Sequence, residues 1–184
     1  MRVAVIGATG AVGREMVRIL EERSFPLDEL ALFSTPRSAG KRVAFRGEEL
    51  TVSVFDAQAL SGFDVALLSA GSAASKEVVP GLARGGVVCI DNSSAFRMDP
   101  DVPLVIPELN AGALEGHRNV IANPNCTAIT ALMAIGPLHR AAGVTELVLS
   151  SYQSVSGSGM KGIRELAEQV EKLAGMEEQL VRPD

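Results

Sequence analysis

A short apolar strand followed by three evenly spaced glycines constrains the fold more than any other stretch of this chain. Residues 2–6 form a β-branched run of the kind found in strands buried on both faces, and Gly7, Gly10 and Gly13 follow it. Residues 12–22 then carry apolar side chains along one side of a helix. Such a turn lets the backbone approach a pyrophosphate at a helix N-terminus. The pattern predicts dinucleotide binding, and the alternative is a plain strand-to-helix turn.

Strands and helices continue to alternate beyond this turn. Further strands are predicted at 30–33, 43–45, 50–55, 63–68, 87–90 and 120–122, and further helices at 73–84, 127–141 and 161–174. This order predicts an α/β fold, a Rossmann-type, mostly parallel sheet with helices on both faces. Residues 145–155 alternate apolar and polar side chains instead, as an antiparallel strand with one covered face does. We therefore expect a nucleotide-binding domain over 1–122 and the start of an α+β catalytic and dimerisation domain over 123–184.

The loop after the second strand bears on which dinucleotide is bound. NAD-specific folds place an acidic residue there to bind the ribose hydroxyls. Here the loop has no acid and contains Arg37, Ser38 and Lys41 instead. An arginine with neighbouring hydroxyls suits the dianionic 2′-phosphate of NADP. The loop favours NADP over NAD, and the alternative is a solvated basic turn.

One of the two cysteines stands at a predicted helix start. Pro124 disfavours helix at Asn123, and Asn125 is a good N-cap, so Cys126 falls in the first turn of an apolar helix that we expect to be buried. Unpaired backbone N–H groups and the positive end of the helix dipole favour a thiolate there. Cys126 is either a nucleophile or a small buried apolar residue. Cys89, inside an apolar strand, is expected to be an inert core residue.

Composition excludes several classes of function. The chain has 184 residues and a formal net charge of −5, which disfavours binding to nucleic acid. No run of 18 apolar residues is present, so we expect no membrane span. Two cysteines without metal-ligand spacing predict a reducing, cytoplasmic location and no metal site.

A loop arginine, Arg97, precedes the last predicted strand. It is placed either to hold an anionic group of a substrate or to pair with Asp99 or Asp101 at the surface, and the sequence does not separate the two.

Five motifs, in this order, resemble those of the aspartate-β-semialdehyde dehydrogenases over essentially all of the chain. They are residues 7–13 (GATGAVG), 37–40 (RSAG), 92–97 (NSSAFR), 123–127 (NPNCT) and 153–157 (QSVSG).

The resemblance implies a role for each matching residue. Cys126 would carry the acyl thioester, and Gln153 would orient the substrate and the thioester. Arg97 would bind phosphate or the acyl phosphate of the substrate. The residues that would contact the cofactor NADP are Gly7, Thr9, Gly10, Ala11, Val12, Gly13, Arg37, Ser38, Ser156 and Gly157.

The reaction implied is the reductive dephosphorylation of L-4-aspartyl phosphate to L-aspartate 4-semialdehyde, in lysine, methionine and threonine biosynthesis. The Cys126 thiolate would displace phosphate, and hydride transfer would then reduce the thioester. Thr127 and backbone N–H groups beside it are candidates for holding the oxyanion. The family forms homodimers or homotetramers. The alternatives are an N-acetyl-glutamyl-phosphate reductase-like enzyme, against which residues 37–40 speak, and a non-catalytic NADP-binding module.

Members of this family are about twice as long as this chain, as two-domain enzymes usually are. The resemblance places the catalytic histidine, and an arginine that binds the α-carboxylate of the substrate, beyond residue 184. We therefore expect an amino-terminal portion with little or no turnover alone.

Overall fold

The computed structural model describes residues 1–56 and 58–180, which divide into two compact units. The first unit runs from Met1 to Leu147, and the second begins at Val148. The strands are β1 (Arg2–Ile6), β2 (Glu29–Ser34), β3 (Arg42–Phe45), β4 (Glu48–Val54), β5 (Val65–Leu68), β6 (Val88–Asp91) and β7 (Val120–Ala122). The helices are α1 (Ala11–Glu22), α2 (Ser72–Arg84), the single turn α3 (Pro107–Asn110), α4 (Cys126–Ala142) and α5 (Gly159–Leu180). The domain boundary near residue 122 stays a prediction.

The seven strands of the described residues form one sheet in the order β3-β4-β2-β1-β5-β6-β7. Only β3 and β4 pair antiparallel, and every other pair is parallel. The central strand β1 pairs on both sides, with Ala4 opposite Ala31 of β2 and Ala66 of β5. The mostly parallel α/β fold expected from the sequence is confirmed, and the carboxyl ends of β1, β2, β5, β6 and β7 share one edge.

Two apolar layers cover the sheet, one on each face. On one face Val17 and Leu20 of α1 pack with Val3 and Val5 of β1. On the other face Val79 and Leu82 of α2 pack with Ala4 and Ile6 of the same strand. Because alternate residues of β1 are buried on opposite faces, its sequence is apolar throughout instead of alternating. Each fully buried Val or Leu side chain stabilises the fold by roughly 1.5–3 kcal/mol.

Two predictions for residues 127–155 are wrong. The apolar helix α4, expected to be buried, has no buried residue, and Leu132 and Leu138 are 42% and 62% exposed. Residues 145–155 form no strand in the structure, and the segment is irregular until a 3₁₀ turn at Val155–Ser158. A strand needs a hydrogen-bonded neighbour, and among the described strands none pairs with this segment. The apolar side chains that predicted burial are present in α4, but none of its residues is buried.

Candidate active site

The turn between β1 and α1 is closed by contacts that glycine alone permits. Gly7 has a φ of 91°, and a Cβ there would lie 2.4 Å from the carbonyl oxygen of Ser69, just after β5. A Cβ at Gly13 would lie 2.1 Å from the carbonyl oxygen of Gly7. The first turn of α1 is therefore packed against the loop, and the half-buried backbone of Gly7 and Gly10 lies at the carboxyl edge of the sheet.

The N-terminus of α1 suits an anion. Its N-cap is Gly10, so no side chain accepts a hydrogen bond from the first turn, and no acidic residue lies in that turn. The orphan N–H groups and the positive end of the dipole are left for a ligand. The Thr9 hydroxyl lies 2.9 Å from the Ser34 hydroxyl and ties the turn to the end of β2. Ala11 and Val12 are exposed beside it.

A cationic pocket of about 440 Å³ opens beside Thr9. Besides Thr9, it is lined by Arg14, Lys41, Arg42 and Val43. Within the described residues, none of these three cationic side chains has a carboxylate partner. The pocket therefore presents uncompensated positive charge next to the glycine turn.

Arg37 and Ser38 form the 3₁₀ turn Pro36–Ser38 directly after β2, with Arg37 exposed and Ser38 half-buried. Sequence reasoning named these two residues and Lys41, but it missed Arg14 and Arg42. The position of Arg14 was a usable signal, because it lies four residues after the N-cap Gly10, at the start of α1. Arg42 opens β3 and had no comparable signal.

A buried carboxylate organises the loop after β6. Asp91 is completely buried, and its Oδ1 accepts hydrogen bonds from the Ser75 hydroxyl at 2.8 Å and from the Ser93 backbone N–H at 3.0 Å. Its Oδ2 accepts a third, from the Ser93 hydroxyl, at 2.7 Å. The loop that contains Ser93 and leads to Arg97 is therefore fixed to the end of the sheet.

Arg97 is half-buried and bound to backbone carbonyls. Its Nε donates to the carbonyl of Asn123 at 2.9 Å, and its Nη2 donates to the carbonyl of Asn92 at 3.0 Å. Among the described residues it makes no ion pair with Asp99 or Asp101, the surface alternative left open by the sequence. The two backbone carbonyls carry no net charge, so they leave the guanidinium without an anionic partner among the described residues.

The helix start predicted at Cys126 is confirmed. α4 begins there, and the Oδ1 of Asn125 accepts a hydrogen bond from the Thr127 backbone N–H at 2.9 Å. Cys126 is exposed. The backbone N–H of Thr127 is therefore bound to the Asn125 side chain. The oxyanion role expected for Thr127 and the backbone N–H groups beside it stays a prediction.

The other cysteine, Cys89, is buried, whereas Cys126 is exposed. It is completely buried in β6, and burial together with the Asp91 carboxylate raises the pKa of its thiol to about 12. The expected core position of Cys89 is confirmed. Cys126 is the one thiol that reagents in solvent reach.

Three predicted site residues lie in the second unit. Gln153 is exposed, and a Cβ at Gly157 would lie 2.3 Å from the Nε2 of Gln153. The Ser154 hydroxyl caps the turn that follows by accepting from the Ser156 N–H at 3.4 Å. Within this unit the side chain of Gln153 lies against Gly157 of the Val155–Ser158 turn, which also contains Ser156.

The part of the chain that the structure describes holds neither a metal-binding cluster nor a helix suited to a membrane. No group of three or more His, Cys, Asp or Glu side chains there is arranged to hold a metal ion. None of the helices there is both long and apolar enough to cross a membrane.

The fold and the site define a dinucleotide-binding α/β protein that places an exposed cysteine after the last strand of its sheet. A family model described as "Semialdehyde dehydrogenase, NAD binding domain" matches residues 2–117. A second, described as "Semialdehyde dehydrogenase, dimerisation domain", matches residues 135–182. The chain belongs to the semialdehyde dehydrogenase family.

The curated relatives are aspartate-semialdehyde dehydrogenases. The one from Aquifex aeolicus is 50% identical over 171 residues, which is 91% of this chain and 50% of the relative. The one from Bacillus subtilis is 44% identical over 178 residues, 97% of this chain and 51% of the relative. A crystal structure of aspartate semialdehyde dehydrogenase II from Vibrio cholerae superposes with a TM-score of 0.88 at 46% identity, covering 95% of this chain and 52% of that one. The resemblance predicted from the five motifs is confirmed, and the chain spans about half the length of the relatives it matches.

Proposed function

We propose that the whole protein catalyses the NADP-dependent reductive dephosphorylation of L-4-aspartyl phosphate to L-aspartate 4-semialdehyde. The product would feed lysine, methionine and threonine biosynthesis in the cytoplasm. Relatives named aspartate-semialdehyde dehydrogenase support the substrate, as does the Vibrio cholerae structure, which is described as a complex with ASA.

The observation that carries the proposal is the link between Arg97 and the cysteine stretch. The guanidinium of Arg97 binds the carbonyl of Asn123, three residues before the exposed Cys126. A cation that can take a phosphate is thereby held near a thiol that can attack the adjoining carbonyl carbon. An acyl phosphate is the substrate class that uses both groups.

The cofactor proposed is NADP, and the residues present fit it. Because Gly7 and Gly13 have no Cβ atoms, the turn packs closely and its backbone lies at the N-terminus of α1, where a pyrophosphate would bind. Arg37 and Ser38 would hold the 2′-phosphate. Arg14 and Lys41 line the cationic pocket beside Thr9 of the glycine turn. When bound, the cofactor supplies the hydride.

The first half-reaction follows from the side chains of this chain. The Cys126 thiolate forms an S–C bond with the acyl carbon, and the C–O bond to phosphate breaks. The leaving phosphate moves toward Arg97 and takes up one proton, equivalent to the proton that the thiol released to solvent, so that it departs as the dianion. The Asn125 cap fixes the first turn of α4, so the sulfur is presented from a rigid helix start. Gln153 would orient the substrate and the thioester, and Ser156 and Gly157 would contact the cofactor. Homodimers or homotetramers are the proposed assembly.

The test is the reverse reaction of the whole protein with L-aspartate 4-semialdehyde, inorganic phosphate and NADP, followed by NADPH absorbance. Cys126→Ser should abolish turnover, whereas Cys89→Ala removes the other thiol and should retain it. Turnover by Cys126→Ser would contradict the thioester mechanism.

Two arms separate the alternatives. In the forward direction the protein should oxidise NADPH with L-4-aspartyl phosphate and not with N-acetyl-glutamyl phosphate; the opposite preference would assign the other reductase activity. A non-catalytic module predicts that Cys126 reacts with iodoacetamide no faster than an ordinary exposed thiol at neutral pH.

A further inference from the structure

Two asparagine side chains join the Arg97 loop to the cysteine stretch. The Nδ2 of Asn123 donates to the Oδ1 of Asn92 at 2.6 Å, across 31 positions of sequence. Both side chains are half-buried, and neither is named by the motif roles described above. Asn92 follows β6, and Asn123 follows β7, the neighbouring strand.

Arg97 binds these same two residues. Its Nε and Nη2 reach the carbonyls of Asn123 and Asn92, which are also joined through their amide side chains. These three hydrogen bonds close a ring through the three residues. Rotation of the guanidinium would break two of them, so its remaining N–H groups point in a fixed direction.

The ring is attached to the sheet at both ends. The backbone N–H of Asn123 donates to the carbonyl of Asp91 at 2.9 Å, and that of Asn92 donates to the carbonyl of Leu68 at 3.0 Å. The Asp91 carboxylate holds Ser93, the next residue of the loop. Asn123 leads through Pro124, which is buried, to the N-cap of α4.

We propose that Asn92 and Asn123 are positioning residues that set the separation between the Arg97 guanidinium and the Cys126 thiol. This inference rests on the proposed function, in which Arg97 takes the phosphate that Cys126 displaces. The leaving oxygen and the attacked carbon are bonded to one another, so the two protein groups must be held at a fixed spacing. A misplacement of about 1 Å can cost on the order of a hundredfold in rate.

Protection of Cys126 by inorganic phosphate measures this spacing without turnover. Iodoacetamide reaches Cys126, whereas Cys89 is buried, so the labelling rate reports on one thiol. Phosphate on a correctly placed Arg97 should slow the labelling, and the half-protecting concentration should rise about tenfold or more in Asn92→Ala and in Asn123→Ala. Asn110→Ala, which removes another asparagine amide bound to backbone groups, is the matched control and should leave protection unchanged.

The double variant tests whether the two amides act as one device. If they do, Asn92→Ala with Asn123→Ala loses no more protection than either alone, because each single change already breaks the ring. Losses that multiply would contradict the proposal. NADPH affinity, set by the turns after β1 and β2, should stay within about twofold in all variants. A collapse of that affinity would show general unfolding and overturn the interpretation.

A pair of charge-matched variants removes the electrostatic explanation. Asn92→Asp keeps an acceptor for the Asn123 amide, whereas Asn123→Asp removes the donor, and both add one negative charge beside the same site. The half-protecting phosphate concentration should be about tenfold higher in Asn123→Asp than in Asn92→Asp. Equal loss in the two would contradict a positioning role.

The same experiment distinguishes failure of the proposed phosphate site at Arg97 from failure of the positioning role of Asn92 and Asn123. If phosphate fails to protect the unsubstituted chain, or protects Arg97→Ala equally well, the proposed phosphate site fails. If phosphate protects the unsubstituted chain and not Arg97→Ala, but the asparagine variants behave like the unsubstituted chain, only the positioning inference fails. In the whole protein the asparagine variants should raise the KM for phosphate and lower kcat, with the KM for NADP unchanged.

Discussion

Replacing Gly13 by Ala should damage both the fold and the cofactor turn. The added methyl carbon would lie 2.1 Å from the carbonyl oxygen of Gly7 and 2.8 Å from the Cα of Ala8. Both are backbone atoms of the turn, and Gly7 is itself held against Ser69, so neither can yield without moving the loop. The change therefore forces α1 away from β1.

The expected magnitude follows from two opposing effects. Overpacking at a tight site costs roughly 1–3 kcal/mol. Alanine in a helix instead of glycine returns about 1 kcal/mol. Gly81 of α2 isolates the second effect, because a Cβ there meets nothing within 4 Å. Gly81→Ala should therefore raise the free energy of unfolding by about 0.5–1 kcal/mol, and Gly13→Ala should lower it by up to about 2 kcal/mol.

Urea unfolding measures the difference. Far-UV circular dichroism is the appropriate signal, because the chain has one Tyr and no Trp. With a slope of about 2 kcal/mol per molar urea, the two midpoints should lie about 1 M apart. NADPH affinity should fall with Gly13→Ala and stay unchanged with Gly81→Ala. A Gly13→Ala chain as stable as Gly81→Ala would refute the close-packing argument.

Three further predictions concern single side chains. Asn125→Ala removes the side-chain acceptor that caps the Thr127 N–H, and it should lower the free energy of urea unfolding by about 1 kcal/mol. Because the first turn of α4 is then no longer fixed, iodoacetamide should also label Cys126 more slowly. Unchanged labelling would contradict this prediction. Because the pKa of Cys89 is raised from 9.0 to about 12 in the fold, the unfolded chain loses this proton first, so stability should fall as pH rises through that window, by up to about 4 kcal/mol. Cys89→Ala should remove that slope in unfolding curves taken at each pH. Arg37→Gln should weaken NADPH binding by about tenfold or more and leave NADH binding unchanged in a calorimetric titration, and equal losses would contradict a 2′-phosphate contact.

The central fold could be predicted because its signals are local. Residues 2–6 are apolar throughout since β1 is buried on both faces, and glycines appear at 7 and 13 because the turn has no room for side chains. The start of α4 was equally readable from Pro124 and Asn125, since capping is decided within one turn.

Two predictions for residues 127–155 are wrong because the periodicity of apolar side chains shows which contacts a segment is suited to make. It does not show whether a partner for those contacts is present. The alternation over 145–155 suits a sheet, but among the described strands none is available to pair with it. The apolar side chains of α4 likewise suit a covered face, and Leu132 and Leu138 are exposed here.

The hydrogen-bonded ring around Arg97 could not be read from the sequence. Its members come from the ends of two strands and the loop between them, with 31 positions separating Asn92 from Asn123. Short polar residues after strands predict only that something binds at that edge of the sheet. Which carbonyl meets which guanidinium nitrogen depends on the register of β6 against β7.

The most direct test of the account is the intact mass of the protein after exposure to L-4-aspartyl phosphate without NADPH. We expect one aspartyl group per chain, located by peptide mapping on Cys126, released by hydroxylamine and absent from Cys126→Ser. An aspartyl group on any other residue, or none on Cys126, would contradict the proposal that the cysteine at the start of α4 is the acyl carrier.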